Sequence, residues 1–311
     1  MTLWRSLVRK IPASLRDVKG SAASETSEQA FITAHQKPTI TSTNLKIIYN
    51  KIMLNDLQKK YLELTKFGPY PSPYFFHIRK GGQIMYYLGF DHTYDAKDLS
   101  WGVLDNYMQD FIDKTDGKKR MVLVEGGEKI LASGRRDQIK AMGEAYYTWY
   151  LAQSSAIPVI YPEPAINDQL KFLSEKFPKD VIITSIFVEQ LCIRSNYIKP
   201  DNIESSLLSY LDYVKNAVKW EDGVFDIKNI FECYKKISGI ELDYNNLEYI
   251  RKETDPYLEI NTINEVINTK SQFKDKITLK NTKDLWDKGY NILAVFGKSH
   301  AIMHEISIKE W

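Results

Sequence analysis

The chain has 311 residues, carries 42 Lys and Arg against 40 Asp and Glu, and is 43% hydrophobic. This length is ample for a packed core, and the net charge of only +2 with hydrophobic residues throughout excludes a mostly disordered protein. A general nucleic-acid-binding function is not expected either, because neutralising phosphates requires an excess of basic residues. The two cysteines, Cys192 and Cys233, form no CxxC motif. A disulfide framework and a zinc knuckle are therefore excluded, and a reducing compartment such as the cytoplasm is favoured.

The first 40 residues differ in composition from the rest of the chain. Apolar residues recur at helical spacing among basic residues up to Ile11, and Asp17 is the only acid before residue 25. Such a segment resembles an organelle transit peptide or a helix on an anionic membrane surface; the alternative is a flexible tail or a docking helix. We predict a separate segment over 1–40 and one domain over 41–311. No apolar run reaches the roughly 18 residues that a membrane span requires.

Residues 41–164 alternate between predicted helices and strands, which is typical of βαβ units and a mostly parallel sheet. Gly81 and Gly82 lie between two apolar runs, and this pattern predicts a tight antiparallel hairpin. The predicted elements are a helix over 45–67, a hairpin over 74–88, a helix over 99–115, a strand over 121–124, a helix over 136–153 and a strand over 157–161.

Residues 165–285 have mainly helical patterns and predict an insertion or cap on the sheet. A strongly apolar strand follows over 291–296, and then a short terminal helix. We therefore predict an α/β fold with a central, mainly parallel sheet flanked by helices, in which the last strand returns to the centre. Within the insertion, helices are predicted over 168–177, 180–195, 203–219, 226–237 and 261–275, and a loop over 240–260.

Residues capable of metal binding or proton transfer follow four of the predicted strands. They are His92, Glu125, Glu163 and His300. Ligands bind beyond the carboxyl ends of strands in an open parallel sheet, so these side chains are expected at one edge. His92 and His300 each end a GxxH motif, in which the glycine permits a sharp turn or a close approach. The alternatives are structural histidines, a helix cap at Glu125 and a solvent-facing turn at Glu163.

Further candidates have weaker sequence support. Asp91 lies inside the first GxxH motif, and His304 would share one helix face with His300. Glu144 follows small residues on a predicted helix, where a solvated position is the alternative. Arg194 could balance buried carboxylates, although such an arginine is more often at the surface.

The chain contains five short segments of interest: YLGFDHT at 87–93, VEGG at 124–127, GEA at 143–145, PVIYPEP at 158–164 and VFGKSH at 295–300. Together they resemble the superfamily of the erythromycin esterases, the haem-binding ChaN proteins, and the TraB and TIKI proteins. The resemblance spans about residues 72–305 and implies an α/β fold with a site at the strand ends. In the TraB and TIKI branch, two GxxH motifs and a glutamate after the second strand form that site, which implies His92, Glu125 and His300 here.

The resemblance implies different activities for different branches. The TIKI branch is described as metal-dependent peptidases, the esterases hydrolyse a macrolactone, and ChaN binds haem. This chain lacks the glutamate-rich first motif of the esterases, which argues against macrolide hydrolysis.

We therefore predict a metal-dependent hydrolase of amide or ester bonds that acts on a small molecule or a peptide. His92, Glu125 and His300 would hold a divalent ion (zinc, manganese or iron), and Glu144 or Glu163 would be the general base. The alternatives are a haem- or metal-binding protein without turnover and an interaction module with an inactive site.

Overall fold

The computed structural model describes residues 63–64, 69–127, 136–140, 142–196, 198 and 200–311. The predicted segment 1–40, its boundary with the domain and nearly all of the helix predicted over 45–67 lie outside these residues. Within the described ranges, no helix combines the length and the apolar character that crossing a membrane requires.

The first two strands form the predicted hairpin. Strand β1 (Tyr74–Lys80) pairs antiparallel with β2 (Gln83–Phe90). The two-residue turn between them has Gly81 at φ 58° and Gly82 at φ 83°. Glycine adopts positive φ values without steric cost, so the two glycines allow the tight turn and fix the register of the hairpin.

The remaining strands extend this hairpin into the predicted, mostly parallel sheet. They are β3 (Arg120–Val124), β4 (Val159–Ile160) and β5 (Asn291–Gly297). The strand order is β1-β2-β5-β3-β4, and every neighbouring pair except β1 and β2 is parallel. The last strand therefore returns to the centre of the sheet, as predicted, whereas β4 is shorter than the predicted strand over 157–161. All residues of β5 are buried, as a central strand of a covered sheet requires.

Helices cover both faces of the sheet. Alternate residues of β2 point to opposite faces: Leu88 packs in the cluster with helix α1 (Ser100–Lys114), and Tyr87 packs in the cluster with the terminal helix α10 (Lys298–Ile308). This alternation follows from the period-two geometry of a strand, and it places Tyr87 beside α10, where its hydroxyl contacts the ring of His304.

The single helix predicted over 136–153 is wrong, because two helices occupy this range. They are α2 (Arg136–Lys140) and α3 (Glu144–Ser154). Gly143 between them has a φ of +94°, which lies outside the helical region, so the helix cannot continue through it. Glu144 is consequently the first residue of α3, and it is buried rather than solvated.

The predicted helical insertion is present and has a hydrophobic core of its own, which includes Ile183, Phe187 and Leu207. Its elements are α4 (Ile166–Ser174), α5 (Lys179–Arg194), α6 (Pro200–Val218), a 3-10 turn (Asp222–Phe225), α7 (Ile227–Ser238), α8 (Leu247–Thr254) and α9 (Thr262–Asp287).

Two predictions in the insertion are wrong. The loop predicted over 240–260 contains α8, whose Glu253 is buried and accepts a hydrogen bond from Tyr234 at 2.6 Å. The helix predicted to end at residue 275 continues to Asp287. Its added turns carry buried side chains such as Leu279 and Trp286, which pack against the sheet and stabilise the longer helix.

Candidate metal centre

Three predicted site residues follow the three central strands. His92 lies two residues after β2, Glu125 directly follows β3, and His300 is in the first turn of α10, after β5. Because β5 lies between β2 and β3 and all three strands are parallel, their carboxyl ends meet at one edge of the sheet. This convergence at one edge was predicted from the sequence.

Gly297 marks the point where His92 and Glu125 approach each other. A Cβ atom added to Gly297 would lie 3.3 Å from Oε2 of Glu125 and 3.3 Å from Nε2 of His92. The two side chains are therefore neighbours across this glycine. Any larger residue would place atoms between them, which explains the glycine of the second GxxH motif.

Gly89, in the first GxxH motif, has a different role. A Cβ atom at this position would lie 2.5 Å from Cβ of Ala301 and 2.9 Å from Cα of Lys298. Helix α10 therefore packs directly against the backbone of β2. This close approach holds the first turn of α10, which carries His300, at the edge of the sheet.

His300 lies between two carboxylates. Its Nδ1 is 2.6 Å from Oδ1 of Asp275, and its Nε2 is 3.6 Å from Oε1 of Glu125. The first distance is a hydrogen bond, whereas the second exceeds hydrogen-bond length. The Nδ1 atom is thus fixed by Asp275, and Nε2 faces Glu125.

His92 repeats this arrangement on the other side of Glu125. Its Nδ1 is hydrogen-bonded to the carboxylate of Glu144, and its Nε2 points to the position that a Cβ of Gly297 would occupy. Histidines that bind metals in proteins usually donate their other ring N–H to a carboxylate or carbonyl. The side chain of His92 is 55% exposed, so this side of the site is open to solvent.

Among the described residues, Asp275, His300 and His304 form the group whose possible ligand atoms lie close enough together to hold a metal ion. One ligand atom from each residue lies within 4.8 Å of the others. Oδ1 of Asp275 is also 2.9 Å from Nε2 of His304, whose Nδ1 is 2.7 Å from the hydroxyl oxygen of Tyr87. His304 therefore shares a helix face with His300, as predicted, but its ring is buried in the core.

The charges of this site shift several pKa values. The hydrogen bond with Glu144, reinforced by the charge of Glu125, raises the pKa of His92 to about 9. Burial alone would lower the pKa of His300, but the charges of Asp275 and Glu125 outweigh burial and raise it to about 9.

The carboxylates respond in the opposite direction. Burial would raise the pKa of Glu125, yet the positive charges of His300, His92 and Lys274 lower it to about 2. Asp275 behaves in the same way: its pKa is lowered because the charge and hydrogen bonds of the two histidines outweigh its burial. The site is thus an array of mutually stabilising opposite charges.

Glu163 joins the site through Lys274. Its Oε1 lies 3.0 Å from Nζ of Lys274, and its Oε2 accepts a hydrogen bond of 3.1 Å from the backbone N–H of Gly126, the residue after Glu125. Burial alone would lower the pKa of Lys274, but the charges of Glu163 and Glu125 outweigh burial and raise this pKa above its ordinary value. The turn of Glu163 therefore faces the protein.

The remaining candidates make other contacts. Asp91 forms an ion pair with Lys298 at 2.6 Å, and its side chain is 62% exposed. Arg194 donates to the hydroxyl of Ser206 at 2.5 Å and stacks over the ring of Tyr210. The described contacts of Arg194 thus join two helices of the insertion.

Sequence analysis missed Asp275 and Lys274. Both lie in the middle of α9, distant in sequence from the strand ends, and no local motif surrounds them. The only available signal was a lysine and an aspartate near the end of a predicted helix. That signal could not reveal which partners the helix would bring them to.

No protein-family model, curated protein or solved structure matches this chain. The resemblance to the erythromycin esterase, ChaN, TraB and TIKI superfamily stays a prediction.

Proposed function

We propose that this protein is a metal-dependent hydrolase in which Nε2 of His92, a carboxylate oxygen of Glu125 and Nε2 of His300 bind one divalent ion. The observation that carries the proposal is a repeated arrangement. Each histidine has its Nδ1 on a carboxylate, and each Nε2 is directed to the neighbourhood of Glu125. Two histidines and one glutamate are the protein ligands of many catalytic zinc sites, which keep a further position open.

The spacing of His300 and Glu125 and the hydrogen bonds of Asp275 support this ligand set over the buried group of Asp275, His300 and His304. The ring of His92 must move closer to the other two residues to complete the set, because among the described residues only the buried group has all its ligand atoms within 4.8 Å of one another. Zinc–ligand bonds of about 2.0–2.1 Å put the ligands of a tetrahedral site about 3.4 Å apart. The 3.6 Å between His300 Nε2 and Glu125 Oε1 is near this separation. By contrast, the two ring nitrogens lie 2.6 and 2.9 Å from Asp275 Oδ1, and a metal there would break both hydrogen bonds.

The charge of the site supports a divalent ion. With a pKa of about 9, His92 and His300 are both protonated at neutral pH when no metal is bound. Exchanging these two protons for one divalent cation leaves the net charge of the site unchanged. Mixed histidine and carboxylate ligands suit zinc, manganese and iron alike.

The chemistry proposed is hydrolysis of an amide or an ester. A divalent ion held in this way supplies a positive charge that lowers the pKa of water toward 7 and polarises a carbonyl group. Glu163 is the proposed general base, because each carboxylate oxygen retains lone pairs beyond its bonds to Lys274 and Gly126. Glu144, the other predicted base, instead orients His92, and the ammonium of Lys274 would stabilise negative charge that develops on the substrate.

Metal content and hydrolysis test the proposal together. We expect about one zinc or manganese ion per chain, lost in His92→Ala and in His300→Ala but retained in His77→Ala. His77 is an exposed histidine on β1 and is the matched control. Glu163→Gln should retain the ion and lose hydrolysis of p-nitrophenyl esters or fluorogenic peptides. Metal content that is unchanged in both site variants would reject the proposed centre.

A further inference from the structure

We propose that Tyr87 and His304 are positioning residues, which hold the His300 imidazole so that its Nε2 faces Glu125. The inference rests on the proposed function, because Nε2 of His300 is one of the proposed ligand atoms. Neither Tyr87 nor His304 would touch the ion; both would act through Asp275.

A continuous chain of hydrogen bonds connects these residues. The hydroxyl of Tyr87 lies 2.7 Å from Nδ1 of His304, Nε2 of His304 lies 2.9 Å from Oδ1 of Asp275, and the same oxygen lies 2.6 Å from Nδ1 of His300. Tyr87, Asp275 and His304 are each at most 1% exposed. Hydrogen bonds shielded from water in this way hold side chains firmly in place, because no water molecule can replace a lost donor or acceptor.

This series of hydrogen bonds specifies where each proton lies. A carboxylate oxygen only accepts hydrogen bonds, so both ring nitrogens that face Asp275 must carry a proton. Burial raises the pKa of the Tyr87 hydroxyl well above its usual value, and the charge of Asp275 adds to this effect. Tyr87 therefore keeps its proton, and a hydrogen bond donated by its hydroxyl to Nδ1 is the direction that leaves His304 neutral, with its own proton on Nε2. His300, with its proton on Nδ1, has Nε2 as the nitrogen that can bind a cation.

His304 is important because Asp275 has few other contacts. Oδ2 of Asp275 is buried and has no hydrogen-bond partner within the described part of the chain. The carboxylate is consequently oriented by two N–H groups on one oxygen, from His300 and His304. Without His304, His300 alone would hold the carboxylate, and neither ring nor carboxylate would have a fixed orientation.

Two substitutions of similar size test the inference. In His304→Gln the side-chain amide can replace the N–H that faces Asp275, whereas His304→Leu removes it. We expect His304→Leu to weaken zinc binding 10- to 100-fold and His304→Gln to weaken it far less. Tyr87→Phe should weaken it about 2- to 10-fold, the effect of one lost hydrogen bond. Equal losses in the Leu and Gln variants, or no loss in either, would overturn the inference.

Nitrogen-15 spectra of the imidazoles give a readout that mere structural damage would not produce. We expect a proton on Nε2 but not on Nδ1 of His304 in the unaltered protein, with and without zinc, and zinc on Nε2 of His300. Zinc on Nε2 of His304, or a proton on its Nδ1, would overturn the inference and favour the buried triad as the metal site. If the protein binds no zinc but His304 shows the expected tautomer, the proposed function fails and the positioning inference stands.

Discussion

The backbone N–H of Gly297 donates a hydrogen bond of 2.6 Å to Oε2 of Glu125. This contact ties the end of β5 to the first residue after β3. It leaves Oε1 of Glu125 directed toward His300, on the side where the proposed ion would bind.

Gly297→Ala is expected to weaken zinc binding at least tenfold while the fold stays intact. The added methyl group would lie 3.3 Å from both Glu125 and His92 and would push these two side chains apart. The φ of Gly297 is −58°, which alanine adopts without strain, so the effect is steric and local. Calorimetric titration with zinc measures it. Gly102→Ala in α1, where a Cβ atom meets nothing within 4 Å, is the control and should bind zinc normally.

Lys274→Met is expected to lower the free energy of unfolding by about 3 kcal/mol, because it leaves the largely buried carboxylate of Glu163 without its charged partner. Urea denaturation measures this change. Lys280→Met breaks an exposed ion pair with Asp284 on the same helix, and it should cost less than about 1 kcal/mol. Equal effects of the two substitutions would show that the ion pair of Lys274 with Glu163 stabilises the protein no more than the exposed pair does.

Stability of the metal-free protein should depend on pH in a defined direction. His92 and His300 have pKa values of about 9 when folded and an ordinary value of 6.5. The stability that they contribute is complete below pH 6.5 and is lost as the pH rises through 9. Glu125, with a pKa of about 2 against 4.5, contributes stability that is present above pH 4.5 and is lost as the pH falls toward 2.

Urea midpoints in the presence of a chelator, measured from pH 5.5 to 9, test this prediction. The midpoint should fall toward pH 9, and the fall should be smaller in His92→Asn and His300→Asn. His77→Asn should retain the full slope. A midpoint that rises toward pH 9 in the unaltered protein would show that the histidines are not stabilised as cations.

Zinc binding at pH 7 should release about two protons per ion, since His92 and His300 must each give up one proton to bind through Nε2. Titration calorimetry in buffers of different ionisation enthalpy counts these protons. The number should fall toward about one as the pH approaches 10, because the histidines are then already deprotonated and only water on the ion still gives up a proton. A binding heat at pH 7 that does not depend on the buffer would show that zinc displaces no protons from His92 and His300, contrary to this prediction.

The strand-end residues could be predicted because the rule that locates them is topological. Once 121–124 and 291–296 are recognised as parallel strands, Glu125 and His300 must lie at the same edge. The glycines of the two GxxH motifs could also be interpreted from the sequence, because each lets neighbouring atoms come close to the backbone.

Other parts of the site depend on packing that a sequence does not display. Asp275 and Lys274 reach it because α9 extends beyond its predicted end and lies against the sheet. Glu144 was predicted as a possible general base. In the structure Gly143 breaks the helix, and the carboxylate of Glu144 instead forms a hydrogen bond with Nδ1 of His92. A single-sequence pattern identifies a carboxylate as a candidate, but it does not say which nitrogen the carboxylate will face.

The central position of β5 has a consequence for synthesis of the protein on the ribosome. Until about residue 297 has emerged, β2 and β3 have no strand between them, and the apolar edges that pair with β5 stay uncovered. Open strand edges are the surfaces through which chains aggregate. Variants that end before β5 should therefore accumulate as aggregates.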